Sequence, residues 1–246
     1  MADLDGKVVA VTGGGSGIGQ GVAIAAAAAG ARVAVLDSNE AAAQKTANAI
    51  PGARAYRVDV TDPKAMEDVC AQVVADFGRL DGAVNNAGIS GELATVVEST
   101  PENWRRVIDV NLSGVYFSVR AEIPHLLAAG GGSIVNMASM AGILGEAKLS
   151  AYTAAKHGVV GLTKVIALEY GRDKIRCNAV CPSFVKTPMV LAQIPADQWA
   201  MLDAMHPIGR TITIEEVANA TVFLLSDKSG GTTGSCHLID GGVAAH

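Results

Sequence analysis

The chain lacks several features that mark broad classes of protein. Its 246 residues include only four cysteines, and these form no CxxC pair: Cys70, Cys177, Cys181 and Cys236. We therefore expect buried free thiols rather than disulfides or a metal site. The longest apolar runs are too short to span a bilayer. The first five residues, Met1 to Asp5, lack the basic and apolar regions of a signal peptide. A cytoplasmic protein is the expectation.

Positive charge is also scarce. The formal net charge is −5 at pH 7, and the isoelectric point is about 5.5. This balance disfavours nucleic acid or an anionic membrane as a partner. Hydrophobic residues make up 50% of the chain, which is enough to bury one large core. Because no polar linker or break in composition divides the sequence, we predict a single domain over residues 1–246.

Short runs rich in valine, isoleucine and leucine alternate with helical stretches. This alternation predicts an α/β fold, with a parallel sheet covered by helices on both faces. The predicted strands lie near residues 7–11, 32–36, 54–58, 81–84, 132–138, 174–180 and 236–239. The alanine-rich stretch from Gln20 to Ala29 is predicted to form a helix that packs closely on the sheet.

The first predicted strand runs directly into a glycine-rich segment, Thr12-Gly13-Gly14-Gly15-Ser16-Gly17-Ile18-Gly19. Strand, glycine turn and helix in this order form the setting of a dinucleotide-binding loop. Glycines allow a pyrophosphate to approach the helix N-terminus, where free N–H groups and the helix dipole favour an anion. The alternative is a flexible turn without a ligand, which the flanking strand and helix disfavour.

Asp37 ends the second predicted strand, about 20 residues beyond the glycines. Its carboxylate can accept hydrogen bonds from an adenosine ribose and would repel a 2′-phosphate. No lysine or arginine adjoins Ser16 or Ser38 in the sequence to bind that phosphate. These residues therefore favour NAD(H) over NADP(H). The alternative is that Asp37 only caps a helix that starts at Asn39.

A phenol and an ammonium group, those of Tyr152 and Lys156, are four residues apart in a predicted helix from Ser150 to Tyr170. Residues at this spacing share a helix face. A phenol with a pKa of about 10 is a poor base at neutral pH, but a nearby cation favours its phenolate. Two unit charges about 4 Å apart interact by roughly 4 kcal/mol at an effective dielectric of about 20, on the order of three pKa units. Taken alone, the pair is also typical of an ordinary amphipathic helix.

From Lys7 to Gly242 the chain resembles the short-chain dehydrogenase/reductase family. Four sets of residues match the family motifs in order: Thr12-Gly13-x-x-x-Gly17-x-Gly19, Asp59-Val60, Asn85-Asn86-Ala87-Gly88, and the set Asn111, Ser139, Tyr152 and Lys156. Ser139 and Tyr152 are 13 residues apart, as in the family. The resemblance implies a single-domain, Rossmann-type, doubly wound parallel sheet of about seven strands.

The resemblance also implies roles for these residues. Tyr152 is expected to act as general acid/base, and Ser139 to hold the substrate oxygen. Lys156 is expected to lower the Tyr152 pKa and bind the nicotinamide ribose, while Asn111 anchors a water. The structural alternatives are a strand-end cap for Ser139 and a helix kink for Asn111. The expected NAD(H)-binding residues are Gly13, Gly15, Ser16, Gly17, Ile18, Gly19, Asp37, Asp59, Val60, Asn86, Ala87, Gly88, Tyr152, Lys156, Pro182, Val185 and Thr187.

The chain departs from the family after the sixth predicted strand, where the usual Pro-Gly is Pro182-Ser183. The change removes backbone freedom beside the nicotinamide, and the role of Ser183 stays open. Apolar residues dominate a predicted substrate lid near residues 188–208, which favours a small or medium, uncharged secondary alcohol or ketone. Solvated surface is the favoured position for one expected substrate contact, Glu146. The expected substrate contacts are Glu92, Met140, Glu146, Phe184 and Met189.

The family resemblance thus implies an NAD-dependent oxidoreductase that interconverts a secondary alcohol and a ketone. Two alternatives stay open: a 3-oxoacyl-carrier-protein-type ketoacyl reductase, which normally prefers NADPH, and a non-catalytic cofactor sensor. His157 adjoins Lys156 but points about 100° round the helix, so it is not expected to be catalytic; His206 is expected at the lid and His246 at the C-terminal surface. A homotetramer with dihedral symmetry is expected from apolar residues on two helices: Val115, Phe117, Val119, Val159, Leu162, Val165 and Ile166.

Overall fold

The computed structural model describes residues 3–245 as one parallel sheet between two layers of helices. Every neighbouring pair of strands is parallel, and the strand order is 3-2-1-4-5-6-7. This arrangement confirms the predicted doubly wound fold. The strands are β1 (Val8–Thr12), β2 (Arg32–Asp37), β3 (Arg54–Arg57), β4 (Gly82–Asn85), β5 (Gly132–Met137), β6 (Ile175–Pro182) and β7 (Cys236–Ile239).

Helices connect the strands and cover both faces of the sheet. A π-helix, Asp109–Ser113, joins the fourth and fifth α-helices, and short 3₁₀ turns span Met140–Gly142, Gly171–Asp173, Ala196–Gln198 and Asp227–Ser229. The α-helices are α1 (Gly17–Ala28), α2 (Glu40–Asn48), α3 (Pro63–Phe77), α4 (Pro101–Ile108), α5 (Gly114–Ala128), α6 (Ser150–Tyr170), α7 (Pro188–Leu191), α8 (Trp199–Met205) and α9 (Ile214–Leu225).

Residues at the helix ends account for several of these boundaries. The Asp62 side chain accepts hydrogen bonds from the backbone N–H groups of Lys64 and Ala65, and Pro63 occupies the first turn of α3. Gly78 ends this helix in the left-handed conformation, with φ of 86°. A side-chain acceptor at the start, proline in the first turn and glycine past the end are the residues that favour helix initiation and termination.

The core consists of two apolar clusters, one on each face of the sheet. Val8 and Ala10 of β1 pack into one cluster with residues of α3, α5 and α6. Val9 and Val11 pack into the other with residues of α1, α2 and α9. Successive side chains of a strand point to opposite faces, so the continuous apolar run of β1 is explained by burial on both sides. Ala23 and Ala26 of α1 are fully buried, which confirms the close packing predicted for this helix.

Burial within the chain corrects part of the assembly argument. Four of the residues cited for the predicted interface, Val115, Val119, Val159 and Ile166, belong to the core of this chain. They face the sheet, so they are not available for contact with another copy. On α5 and α6, other apolar side chains are exposed, including Tyr116, Val165 and Leu168.

Three further expectations concern histidine, cysteine and membrane insertion. His206, which was expected at the lid, directly follows α8 and is only 2% exposed, whereas His246 lies outside the described residues. All four cysteines are free, and Cys236 is half-buried whereas the other three are buried. Between residues 3 and 245, no helix is both long and apolar enough to cross a membrane.

Candidate active site

A cavity of about 430 Å³ opens at the carboxyl ends of the strands. The strand order reverses between β1 and β4, and ligands of open α/β sheets bind outside the carboxyl ends at such a point. Met189 is the only one of the five expected substrate contacts among the described residues that line the cavity. The other expected site residues that line it are Gly13, Ser16, Gly17, Ile18, Asp37, Asp59, Val60, Asn86, Ala87, Gly88, Ser139, Tyr152, Lys156, Pro182, Val185 and Thr187.

The glycine loop is shaped by backbone conformation and by close packing. Gly13 and Gly17 have φ of 62° and 55°, in the left-handed region that favours glycine. A Cβ atom on Gly19 would lie 2.2 Å from the carbonyl oxygen of Gly13. On Gly15 it would lie 2.7 Å from the Ala42 side chain and 2.8 Å from Asp37 Oδ2. Gly15 and Gly19 therefore permit the close packing of the loop, and neither of them lines the cavity.

The loop is held to the end of β4 by hydrogen bonds. Thr12 Oγ1 accepts from the backbone N–H groups of Asn86 and Ala87, at 3.0 and 3.2 Å. The Asn86 side-chain amide donates in return to the carbonyl oxygens of Thr12 and Gly13, at 3.1 and 3.2 Å. These bonds fix the loop against the fourth-strand motif, so the two segments form one wall of the cavity.

The Asp37 carboxylate lies at one end of the cavity and is already partly hydrogen-bonded. Oδ2 accepts from the backbone N–H of Gly15, and Oδ1 accepts from that of Asn39, each at 2.9 Å. The N-cap of α2 is the side chain of Asn39, which accepts from Ala42. Asp37 therefore links the end of β2 to the glycine loop, and a cap of α2 is not its main role.

Arg57 is a basic residue near Asp37 that the sequence analysis did not identify. Arg57 is the register partner of Asp37 across the β2–β3 pair, and it lines a shallow groove together with Ser38. No basic residue is next to Ser16 or Ser38 in the sequence. Arg57 is about 20 residues further along the chain, and the pairing of β2 with β3 places it beside Asp37. The absence of a basic neighbour in the sequence therefore does not exclude a basic residue near Ser38 in the fold.

Asp59 and Val60 line the cavity beyond the end of β3. Asp59 is exposed, and its Oδ1 accepts from the backbone N–H and the hydroxyl of Thr61, at 2.9 and 2.8 Å. The buried Val60 side chain faces α5, where a Cβ atom on Gly114 would lie 2.7 Å from its Cγ2. The pair thus combines an anchored carboxylate with an apolar surface.

Asn111 is fully buried and lies in the π-helix rather than in the cavity wall. Its Oδ1 accepts from the backbone N–H of Ile89 at 2.8 Å, and its Nδ2 donates to the carbonyl oxygen of Ile89 at 2.7 Å. Both ends of the amide thus hold the segment after β4, and Ile89 itself lines the cavity. The helix is distorted at Asn111 into a π-helical turn, which is frequent at functional sites, but the Asn111 amide bonds to Ile89 and not to the backbone of its own helix.

Ser139, Tyr152 and Lys156 meet at the centre of the cavity. Ser139 follows β5, and its Oγ accepts from the backbone N–H of Ala141 at 3.1 Å. Tyr152 and Lys156 are on α6, with Lys156 Nζ 5.6 Å from the centroid of the Tyr152 ring. Lys156 Nζ also donates to the carbonyl oxygen of Met137 at 2.7 Å. The α6 boundaries match the predicted helix.

The ionisable groups at this centre are governed by burial. Burial raises the pKa of Tyr152, and its hydrogen bond with Ser139 lowers that pKa. Smaller effects of Cys181 and Glu146 raise it further. Lys156 is not among the groups that shift the Tyr152 pKa; its ammonium lies over the ring and donates to a backbone carbonyl. Burial also lowers the pKa of Lys156 to about 8.

The remaining four expected substrate contacts do not line the cavity. Glu92 is exposed, and Met140 is buried under the turn after Ser139. Phe184 packs edge-on against His206, with ring centroids 6.5 Å apart. Glu146 is half-buried rather than fully solvated, and burial raises its pKa. The direction of each of these side chains depends on local turns, which the sequence does not show.

Several lining residues were missed by the sequence argument. They are Leu36, Ser38, Val58, Ile89, Val110, Met137, Ala138, Pro188 and Val190, and Ser183 joins them. Val110, Met137 and Ala138 directly precede predicted catalytic residues, so their position along the chain was a usable signal. No sequence signal indicated Val190, because its position depends on how the segment after β6 folds back over the cavity.

Comparisons with known proteins were consistent with this geometry. A family model described as "Enoyl-(Acyl carrier protein) reductase" matches residues 13–244. A cyclohexanol dehydrogenase of Acinetobacter sp. is 46% identical over 239 residues, covering 96% of this chain and 94% of that protein. A 2,5-dichloro-2,5-cyclohexadiene-1,4-diol dehydrogenase of Sphingobium indicum is 42% identical over the full length of both chains.

The solved structures give the same result for the fold. A short-chain type dehydrogenase/reductase from Mycobacterium marinum superposes with a TM-score of 0.93 at 35% identity, covering 99% of this chain and 98% of that one. The sheet order, the glycine loop and the Tyr152–Lys156 helix are thus accompanied by similarity over almost the whole chain. The chain belongs to the short-chain dehydrogenase/reductase family.

Proposed function

We propose that this protein is an NAD-dependent dehydrogenase that oxidises secondary alcohols on a small ring, such as cyclohexanol, to ketones. The observation that carries the proposal is the meeting of Ser139, Tyr152 and Lys156 in the cavity that also contains the glycine loop and Asp37. The names of the Acinetobacter and Sphingobium relatives support a ring alcohol as the substrate.

Dehydrogenases of this family use a nicotinamide cofactor, and the residues present fit one. A side chain on Gly19 would collide with the loop itself, and one on Gly15 would collide with Ala42 and Asp37, so the loop keeps a backbone surface beside the N-terminus of α1. Such a surface favours a pyrophosphate. Asp37 would bind the adenosine ribose, Asp59 and Val60 the adenine, and Lys156, Val185 and Thr187 the nicotinamide half. When bound, the cofactor accepts a hydride from the alcohol carbon.

Preference for NAD(H) over NADP(H) is part of the proposal. The Asp37 carboxylate keeps lone pairs beyond its bonds to Gly15 and Asn39, and these can accept from the ribose hydroxyls. A 2′-phosphate would meet this negative charge. Arg57 reduces the repulsion without removing it, because the carboxylate lines the cavity and Arg57 lines the neighbouring groove.

In the proposed mechanism, Tyr152 takes the alcohol proton and Ser139 holds the alcohol oxygen. The Ser139 hydroxyl lowers the Tyr152 pKa, which favours the phenolate that a general base requires. Lys156 is buried among Met137, Gly88 and Tyr152, where its ammonium would bind the hydroxyl groups of the nicotinamide ribose. Asn111 acts as an anchor of the wall through Ile89.

The substrate side of the cavity supports an uncharged ligand. Met189 and Val190 of α7 and Ile89 contribute apolar side chains. Among the described residues that line the cavity, Lys156 is the only basic one, and the mechanism uses it. The segment near residues 188–208 is proposed as a lid over this side, with α7 nearest to the cavity.

Two other functions fit less well. A ketoacyl reductase normally prefers NADPH, which Asp37 opposes, and a non-catalytic sensor has no need for the Ser139, Tyr152 and Lys156 set. The matching family model names an alkene reductase. Relatives with that chemistry separate the tyrosine and the lysine by a longer spacer than the three residues present here, Thr153 to Ala155. Carbonyl and alcohol chemistry is therefore preferred. We also propose a homotetramer and a cytoplasmic location.

The proposal is tested with a panel of alcohols and ketones assayed with NAD(H) and NADP(H), following the absorbance of the reduced nicotinamide. Cyclohexanol with NAD⁺ is expected to give the highest kcat/KM among simple alcohols. Activity on 3-oxoacyl thioesters with NADPH, in the absence of alcohol oxidation, would contradict the proposal and favour the ketoacyl reductase. Binding of NADH without turnover of any substrate would favour the sensor.

A further inference from the structure

Ser183 stands directly after β6, at the position where the family usually has glycine. It lines the cavity together with Ser139 and Tyr152. In the described part of the chain, only Lys148 and Lys174 among the non-glycine residues have a positive φ. Ser183 therefore holds its place without the strain that a left-handed conformation would impose. Its side chain adds a hydroxyl group to the cavity wall at no backbone cost.

A buried histidine fixes the orientation of this hydroxyl. His206 is 2% exposed and directly follows α8. Its Nδ1 lies 2.7 Å from the carbonyl oxygen of Leu202. A carbonyl oxygen can only accept, so Nδ1 carries the proton of the neutral ring and Nε2 is left as an acceptor.

Ser183 Oγ lies 2.8 Å from this Nε2. When the ring is neutral, the Ser183 hydroxyl donates its proton to His206, which leaves the serine oxygen as an acceptor. Within residues 3–245, no other hydrogen bond to this oxygen is formed. A serine hydroxyl can accept two hydrogen bonds, so the cavity wall offers acceptor sites that point to a donor on the ligand.

Strand pairing places this acceptor close to the reacting centre. Met137 of β5 pairs with Val180 of β6, and the Ala138 N–H donates to the Val180 carbonyl oxygen at 2.8 Å. Ser139 and Ser183 thus follow the ends of neighbouring strands, which lie about 4.8 Å apart. One small ring can present a hydroxyl to each of them.

We infer that Ser183 is a specificity-determining residue that accepts a hydrogen bond from a second hydroxyl group of the substrate, and that His206 is its positioning residue. The inference rests on the proposed function, because it assumes that an alcohol is bound at Ser139 and Tyr152. It predicts that ring diols are favoured over ring alcohols that have a single hydroxyl.

The test compares cyclohexanol with cyclohexane-1,2-diol and cyclohexane-1,4-diol at saturating NAD⁺. A neutral hydrogen bond is worth about 1 kcal/mol, and about 1.4 kcal/mol corresponds to a factor of ten. In the Ser183→Ala and Ser183→Gly variants, the ratio of kcat/KM for the preferred diol to that for cyclohexanol should therefore fall by about fivefold to tenfold. NADH affinity, measured by fluorescence titration, should change by less than about twofold.

Variants of His206 test its positioning role. His206→Phe removes the acceptor and should lower the diol to cyclohexanol ratio as the serine variants do. His206→Gln supplies an amide oxygen that can accept from Ser183, and it should retain most of the ratio. A matched control is His125→Phe on α5, which is remote from the cavity and should leave the ratio unchanged. If either histidine variant fails to fold, the diol to cyclohexanol ratios of the two serine variants still test the role of Ser183.

Three outcomes would overturn the inference. The diol to cyclohexanol ratio could be the same in the wild type and in both serine variants. The wild type could oxidise cyclohexanol and neither diol. The serine variants could lose NADH affinity and activity on all alcohols equally, in which case Ser183 contacts the cofactor. Failure of the wild type on every alcohol would instead refute the proposed function as well.

Discussion

Burial acts against the charged forms of both ionisable residues at the centre of the cavity. It raises the pKa of Tyr152 and lowers the pKa of Lys156 to about 8. At neutral pH the lysine therefore keeps most of its positive charge, whereas the phenol resists ionisation. The hydrogen bond from Ser139 lowers the pKa of Tyr152. Ser139 therefore has a role in activating Tyr152 as well as in holding the alcohol oxygen.

Asp37 carries the cofactor preference in this account. Hydrogen bonds to a charged group contribute about 1.5–3 kcal/mol, and a 2′-phosphate replaces this gain with repulsion. Because each 1.4 kcal/mol is about tenfold, we expect kcat/KM with NAD⁺ to exceed that with NADP⁺ by at least about a hundredfold. Asp37→Ala combined with Ser38→Arg should narrow or invert the preference, since the new guanidinium and Arg57 could both bind the phosphate.

The measurement is steady-state kinetics with each cofactor and one alcohol. Arg57→Ala in the wild-type background tests whether Arg57 contributes to phosphate binding. It should reduce the residual activity with NADP⁺ and leave the activity with NAD⁺ unchanged. Equal efficiency with both cofactors in the unmodified protein would refute the role of Asp37 and favour the ketoacyl reductase.

At the scale of elements, a buried polar network joins three strands and two helices behind the cavity. The Asn85 amide of β4 donates to Glu122 of α5 at 3.1 Å and to Asn136 of β5 at 3.0 Å. Asn136 donates in turn to Thr163 of α6 at 3.0 Å and to the Cys177 sulfur of β6 at 3.4 Å. Burial raises the pKa of Glu122 to about 7. The hydrogen bond from Asn85 lowers this pKa, but its effect is smaller than that of burial.

This network predicts a pH dependence of stability. The Glu122 carboxyl ionises near 4.5 without the fold and near 7 within it, so the folded state favours the protonated form. The contribution of Glu122 to the free energy of unfolding is therefore fully present below about pH 4.5 and is lost as the pH rises through about 7. At about 1.4 kcal/mol per pKa unit, the loss is up to about 3 kcal/mol.

The Glu122→Gln variant should not show this loss, because its amide stays neutral and can still accept from Asn85. Denaturant unfolding at about pH 5 and about pH 8 should give a smaller decrease in the free energy of unfolding for this variant than for the wild type. Glu169→Gln, at an exposed position on α6, is the control and should follow the wild type. An identical decrease in all three proteins would show that Glu122 ionises normally.

Most elements could be predicted from the sequence because their signals are local. Each of the seven strands lies within two residues of its prediction, and α6 matches its predicted bounds. Helix α1 begins at Gly17, three residues before the predicted start. Glycine is unfavourable in helices, so the composition of Gly17-Ile18-Gly19 did not indicate a helix. Pairings between distant residues could not be predicted in this way, including Arg57 with Asp37, Asn111 with Ile89 and Ser183 with His206.

At the scale of the whole molecule, the exposed apolar residues of α5 and α6 bear on assembly. Tyr116, Val165 and Leu168 are 49%, 48% and 85% exposed. Side chains of this kind on two neighbouring helices can be covered by a second copy through a two-fold axis. We therefore expect a homotetramer in solution, in which these residues are buried.

Light scattering should give a mass about four times the 25.0 kDa of one chain. Substitution of Val165 and Leu168 by glutamate should shift the mass to a smaller species. Val97→Glu, at a position 94% exposed outside these helices, should leave the mass unchanged. A stable monomer of the unmodified protein would contradict this assembly.

The central claim is that this molecule oxidises a ring alcohol through Tyr152, and one comparison tests it most directly. The initial rate of NADH formation from cyclohexanol is measured for the wild type and for Tyr152→Phe, with Tyr170→Phe at the end of α6 as the control. Loss of the phenolic oxygen should lower kcat by at least about a hundredfold, while NADH binding and folding are retained. A Tyr152→Phe rate above about a tenth of the wild-type rate would contradict the account.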